Sequence, residues 1–326
     1  MLKKISKSGE YTHILIIMVM MAAYFITPPV KFNITFDSTL ISPIWVWLNQ
    51  MAISFPLTVK IFTVLIMITI ALYINKIATS CEIIPRLSFL TATISTILFL
   101  FSPDTAYLTG TLAVMLLLVF SFRNIMNLFG KQYPFKEILN ASIAISIASM
   151  IIPYAIVFIL FIWIGFLTYS INTWREWLIS LIGLIVPYVY MFFAFFWNDN
   201  LDFIIGNYIT FFNGLTIRFL MPDIYQWISL SLLVIIAFKS TMHFINDASD
   251  KIISIRKKMW LTFQFSFVTL MAIGSAGTAA PLLLPVLFIP ISIMLSYSIH
   301  NQKRTRFYNI MMLLLICSFL INRLVP

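Results

Sequence analysis

A polytopic transmembrane helical bundle, all-α, with about 11 spans, is the fold class this sequence predicts. Its N-terminus is expected in the cytoplasm, its C-terminus outside, and interfacial amphipathic helices on its surfaces. Three observations lead there. Hydrophobic residues make up 61% of the chain and charged residues only 10%, whereas soluble domains carry about 25% charge and would leave such an apolar chain with large sticky surfaces. The apolar runs are continuous rather than alternating, so the backbone must be satisfied by helices and not by a membrane barrel. The basic residues fall in short turns between those runs, which is how membrane topology is written. The same distribution excludes a nucleic-acid partner despite the net charge of +10.

Taken in order, the runs are 11–27, 56–74, 87–101, 105–120, 138–152, 154–170, 177–197, 224–238, 261–275, 282–298 and 309–324. Lys3, Lys4 and Lys7 precede the first, and no small-residue cleavage site follows it, so it reads as an uncleaved span rather than a signal peptide. Residues 87–120 are apolar except at Ser102, Pro103 and Asp104, which predicts a tight hairpin turning at Pro103. Residues 139–169 are interrupted only by Pro153, so they form either two short spans or one kinked helix.

Charge separates those two. With a turn at Pro153, all but four of the 21 lysines and arginines lie on the N-terminal side; the exceptions are Lys31, Lys60, Arg218 and Arg323. One continuous span would flip the 239–258 and 303–306 clusters outward, against the positive-inside rule. The chain is thus expected to be one integral membrane domain over 1–326, multi-pass, with outer loops 28–55 and 198–223.

The first outer loop carries Asp37 and then Ile41, Ile44, Trp45, Leu48, Met51 and Ala52, a helical stripe that predicts an amphipathic helix over 41–54 in the outer interface. Asp104 sits at the tip of the 87–120 hairpin on the same side. Two carboxylates at one membrane surface can bind a divalent cation or serve as a base toward a lipid-linked substrate. Each alone also suits ordinary turn or helix-cap chemistry. Arg218 is one of few outward cations and suits phosphate, or an ion pair with Asp202 or Asp223. Lys60, about one turn inside the second span, either snorkels or meets Asp37 or a phosphate. On the inner side, 243–260 reads as an interfacial helix on anionic lipid, with Asp247 and Asp250 toward its N-terminus and Arg256, Lys257 and Lys258 toward its C-terminus.

Other chemistry has no residues to carry it. His13, His243 and His300 lack metal-ligand spacing, and Cys81 and Cys317 make no disulfide or metal framework. No Gly-rich phosphate loop and no Gly-x-Ser-x-Gly nucleophile motif occur.

Trp174-Arg175-Glu176-Trp177 opening a span, Pro187-Tyr188 within it and Asn198-Asp199 closing it resemble an uncharacterised family of bacterial polytopic inner-membrane proteins. Some of its members carry a carotene-monooxygenase label, a chemistry that needs four histidines on iron where this chain has three. A second resemblance is topological. Asp37, the 41–54 helix and Asp104 occupy the places of the acidic first outer loop, interfacial helix and second acidic loop of C-type membrane glycosyltransferases. That resemblance implies a polyprenyl-phosphate sugar donor, with Asp37 as base or metal ligand, Asp104 as a second metal contact, and Lys60 and Arg218 on the phosphate. The chain departs from the pattern in that Ser38 follows Asp37 where a second acid is expected, Asp104 stands alone, and no large outer domain follows. The alternatives are a non-catalytic membrane subunit scaffolding a cell-envelope assembly of other proteins and, third, a transporter.

Overall fold

The computed structural model describes residues 10–26, 54–86, 88–99, 105–171, 173–199, 206, 224–277, 280–302 and 306–324. Its helices are α1 (Glu10–Ile26), α2 (Pro56–Ser80), α3 (Leu90–Phe99), α4 (Thr105–Met126), α5 (Phe135–Ile151), α6 (Ile159–Tyr169), α7 (Trp174–Trp197), α8 (Ile224–Ala248), α9 (Ile253–Ser275), α10 (Ala280–Leu283), α11 (Phe288–Asn301) and α12 (Arg306–Leu324). Two 3₁₀ stretches, Pro153–Phe158 and Leu284–Leu287, lead into α6 and α11. No strand occurs among the described residues. Each apolar run of the sequence therefore becomes a helix. Among the described residues, four segments are long and apolar enough to cross a membrane: Leu57–Ser80, Trp174–Trp197, Trp227–Ala248 and Leu284–Asn301.

The turn at Pro153 is a reversal. Proline disfavours a helical residue before it; Ile152 is extended (φ −124°, ψ 105°), and Pro153 opens the 3₁₀ turn. Beyond it α6 runs back beside α4. Phe161 stacks on Phe122 at 5.7 Å, Tyr169 packs on Phe129 at 5.6 Å, and the Tyr169 hydroxyl donates to the Met126 carbonyl at 3.4 Å. The far end of α6 has thus returned to the end from which α5 set out. There α6 closes on Ser170 in the left-handed region (φ 60°), with Ile171 N–H donating to Phe166 O at 2.8 Å, the pattern that satisfies a helix's last carbonyls. The C-terminus of α2 closes the same way over Glu82 (φ 57°), with Ile83 N–H on Ala78 O at 3.1 Å.

Two short helices form the centre. All ten residues of α3 and residues 288–299 of α11 are buried. They pack on each other, with α1 and α2 around α3, and α8 and α9 around α11. Their contact is polar: the Thr91 hydroxyl donates to Ser296 Oγ at 3.1 Å. Small and hydroxylic residues let helices approach closely where lipid supplies no hydrophobic drive between them. A second centre is aromatic. Phe265 of α9 lies 4.9 Å from Phe122, 5.4 Å from Phe158 and 4.8 Å from Phe161, ring centre to ring centre.

At the rim, α7 docks on α5, where Gly183 closes on Ser142, and it also buries Glu176 and Ser180, whose Oγ accepts from Trp163 Nε1 of α6 at 3.3 Å. It leaves Leu181, Ile182, Ile185, Val189, Phe193 and Phe196 exposed, a continuous apolar face suited to acyl chains. Pro187 supplies no N–H for the Gly183 carbonyl. Nearby, two side-chain bonds from α5 tie the helices together: Ser146 Oγ donates to Leu184 O at 2.7 Å, and Ser149 Oγ shares a hydrogen bond of 2.8 Å with the Tyr188 hydroxyl.

Segment 243–260 differs from the sequence expectation of one surface helix. It is divided between α8, which runs to Ala248, a turn over 249–252, and α9, which starts at Ile253. Phe244 and Ala248 are buried, so the apolar face of α8 continues past the point where the charges begin. Asp247 consequently ends one helix, and Arg256, Lys257 and Lys258 begin another.

Candidate functional site

Asp37, Asp104 and Arg218, with Asp202 and Asp223, lie outside the described residues, as does the 41–54 helix up to residue 53; Lys60 lies within them. It sits half-buried in the second turn of α2. What the structure supplies is the course of the helices that adjoin these segments in the chain. Arg123 Nη1 of α4 donates to the Tyr73 hydroxyl of α2 at 2.9 Å, with the guanidinium 5.2 Å from that ring's centre. Tyr73 and Arg123 both stand near the C-terminal ends of their helices, so α2 and α4 run parallel. Their starts, Pro56 and Thr105, therefore share the opposite end of the bundle. Segments 27–53 and 100–104, which hold Asp37 and Asp104, adjoin those two starts in the chain. Lys60 stands about 20 Å from Tyr73 along α2, at the 1.5 Å rise of a helix, and so belongs to that same end.

The other end gathers the charge. Lys257 Nζ lies 5.9 Å from the Phe129 ring centre, Phe129 touches Tyr169, and Lys258 is near enough to act on the Cys81 thiol. The turns 81–86, 127–134, 170–171 and 249–252 thus meet at one end, together with Lys76, Arg86, Lys131, Lys136, Arg175 and Lys251. Burial pushes the Cys81 thiol up from its ordinary value, with Lys258 and a Ser80 hydrogen bond offsetting only part of the shift. At Glu137 burial opposes ionisation, but the hydrogen bond from Lys131 and the nearby charges of Lys131 and Lys136 prevail and hold its carboxyl below the usual range. Arg86 pairs with Glu82 at 2.9 Å on the exposed surface.

One polar cluster at this end joins distant parts of the chain. The Tyr297 hydroxyl of α11 donates to Asp247 Oδ2 of α8 at 3.3 Å. His243 Nδ1 stands 3.4 Å from the same oxygen. Lys251 Nζ lies 5.8 Å from the Tyr297 ring centre, and Phe244 meets that ring edge-on at 5.2 Å. The Ser240 and Ser298 hydroxyls, 3.1 Å apart, continue the link between α8 and α11. The sequence reading had His243 and Asp247 at this end but gave no sign of Tyr297. It also missed the hydroxyls of α3 and α11, although Thr91, Thr93, Ser95 and Thr96 within one apolar run were a visible signal. Among the described residues, no three His, Cys, Asp or Glu side chains gather in a way that could hold a metal ion.

No family model, curated protein or solved structure matches this chain.

Proposed function

We propose that this is a glycosyltransferase-like enzyme of the bacterial inner membrane, with eleven spans, its N-terminus in the cytoplasm and its C-terminus outside. It belongs on this reading to the bacterial inner-membrane family that the Trp174–Trp177 signature suggests. It uses a sugar carried on a polyprenyl phosphate, at the end of the bundle away from the basic turns. The observation that carries this is the parallel course of α2 and α4, fixed at Tyr73 and Arg123. It supports a shared end for the segments bearing Asp37 and Asp104, and brings Lys60 to that end.

The chemistry follows from the residue types. Asp37 takes the proton of the acceptor hydroxyl or, with Asp104, holds a divalent cation. Lys60 and Arg218 stabilise the negative charge that grows on the departing polyprenyl phosphate, an effect strongest in a water-poor site. The test is Asp37→Asn and Asp104→Asn, made singly at unchanged expression, with envelope glycans compared with those of the parent. Loss of a glycan in either supports the reading, and identical profiles in both refute it.

A second reading, a non-catalytic subunit of an envelope assembly, is favoured by α7, whose long apolar face is covered by nothing among the described residues. Purification in mild detergent separates the two. A stoichiometric protein partner supports the subunit, and a lone monodisperse chain argues against it.

A further inference from the structure

We infer that the groove between α2 and α4, at the end of the bundle where the basic turns gather, binds the phosphate group of an anionic phospholipid through Tyr73, Lys76, Arg123 and Asn127. The two helices run parallel and touch at this point: Arg123 Nη1 donates to the Tyr73 hydroxyl at 2.9 Å, with the guanidinium 5.2 Å from that ring's centre. Lys76 follows Tyr73 by three residues and Asn127 follows Arg123 by four, spacings that keep each pair on one face of its helix. Helical side chains lean toward the N-terminus, which carries Lys76 and Asn127 back from the helix ends toward the contact.

The groove opens outward rather than into the core. Tyr73 and Arg123 are half-buried, while Thr69, Leu72 and Lys76 of α2 and Phe120 and Asn127 of α4 are exposed. Leu72 and Phe120 lie on the side away from the helix ends, where acyl chains run. Lys76 and Asn127 lie on the side of the ends themselves, Ser80 and Met126, at the depth of headgroups. Arg123 stands between them, within one turn of the end of α4.

This groove is rich in donors and poor in acceptors. A guanidinium carries five N–H donors, and the Tyr73 oxygen takes one of them. With that oxygen accepting, the Tyr73 O–H is left to donate elsewhere. Lys76 adds an ammonium and Asn127 an amide NH2. No acid answers them: among the described residues the ion pairs are Arg86 with Glu82, Lys131 with Glu137, and His243 with Asp247. A half-buried cation on a membrane helix is costly unless an anion or a water-filled cavity meets it. A phosphodiester brings one negative charge and several acceptor oxygens, and two of those oxygens match the fork of an arginine. Basic pockets between helices at a bilayer surface draw that group from lipid headgroups. The site stands apart from the opposite end of the bundle, where the glycosyltransferase reading has its chemistry.

The test is native mass spectrometry of the full chain released from vesicles of phosphatidylglycerol and phosphatidylcholine, with and without millimolar inorganic phosphate. K76Q/R123Q should retain roughly 30-fold less phosphatidylglycerol, about 5-fold for each basic residue lost near a charged surface. K76Q/N127A leaves the Tyr73–Arg123 contact in place, should melt like the parent, and should still retain about 5-fold less. K136Q/R175Q removes two charges from the same end but outside the groove, where solvent screens them, and should change retention by less than about 3-fold. Undiminished phosphatidylglycerol in either groove variant, or an equal loss in K136Q/R175Q, overturns the site. Displacement of the lipid by inorganic phosphate overturns the lipid as its occupant.

Discussion

Gly183→Ala should loosen α7 from α5, although alanine is the better helix former. A Cβ built at Gly183 stands 2.2 Å from Ser142 Oγ, 3.0 Å from Ser142 Cβ and 3.2 Å from the Leu139 carbonyl oxygen. The last of these is backbone, so rotating a side chain cannot clear the site and the helices must move apart. Overpacking of this kind costs about 1–3 kcal/mol. Separation also strains the Ser146–Leu184 and Ser149–Tyr188 bonds, each worth roughly 0.6 kcal/mol between membrane helices. The alanine returns about 1 kcal/mol of helix propensity, leaving a net loss of about 1–3 kcal/mol. Gly274→Ala is the control, because no atom lies within 4 Å of its added Cβ, and it should stabilise by up to about 1 kcal/mol. Thermal unfolding in detergent reads both, and Ser142→Gly should restore part of the loss at Gly183. If Gly183→Ala proves as stable as Gly274→Ala, the close approach of α5 and α7 is wrong.

Phe265→Ala removes the ring on which Phe122, Phe158 and Phe161 converge and should cost about 3–5 kcal/mol. Phe267→Ala on the exposed face of α9 should stay within about 0.5 kcal/mol, and melting curves compare them. In a Cys317→Ser background, maleimide should label Cys81 slowly at neutral pH and faster as pH rises past the ordinary thiol range, because burial disfavours the thiolate. Lys258→Gln should slow it further, and fast labelling at pH 7 would contradict the burial. The lowered carboxyl of Glu137 adds stability above the ordinary carboxylate range and loses it as pH falls through its value in the fold. Lys131→Met should therefore make acid unfolding begin at higher pH, followed by tryptophan fluorescence.

The reversal at Pro153 was legible because it rested on two independent facts, a proline in an apolar run and the side on which later lysines would fall. The helices were legible for the same reason, since each is an unbroken apolar run bounded by charge or proline. The break at 249–252 was not. No proline or glycine marks it, and the buried Phe244 and Ala248 extend the pattern of α8 into the charged segment. Asp247 and the Arg256–Lys258 cluster therefore sit at the facing ends of two helices rather than at the two ends of one. The meeting of Tyr297 with Asp247 was hidden because the two are fifty residues apart, and nothing local to either records the other. The central place of α3 was hidden too: a run of ten apolar and hydroxylic residues reads alike whether lipid or protein surrounds it. Of the four residues assigned to the outer site, Lys60 alone falls in the described part, and the helix directions around it depend on the contact between Tyr73 and Arg123.

Which turns share a side of the membrane can be measured directly. In a chain freed of Cys81 and Cys317 by serine, single cysteines at Lys131, Thr173 and Gly277 are exposed to a membrane-impermeant maleimide in intact cells and in inverted vesicles. The reversal at Pro153 predicts that positions 131 and 173 react together, in inverted vesicles only, and that position 277 reacts in intact cells. Labelling of positions 131 and 173 from opposite sides would contradict the bundle described here.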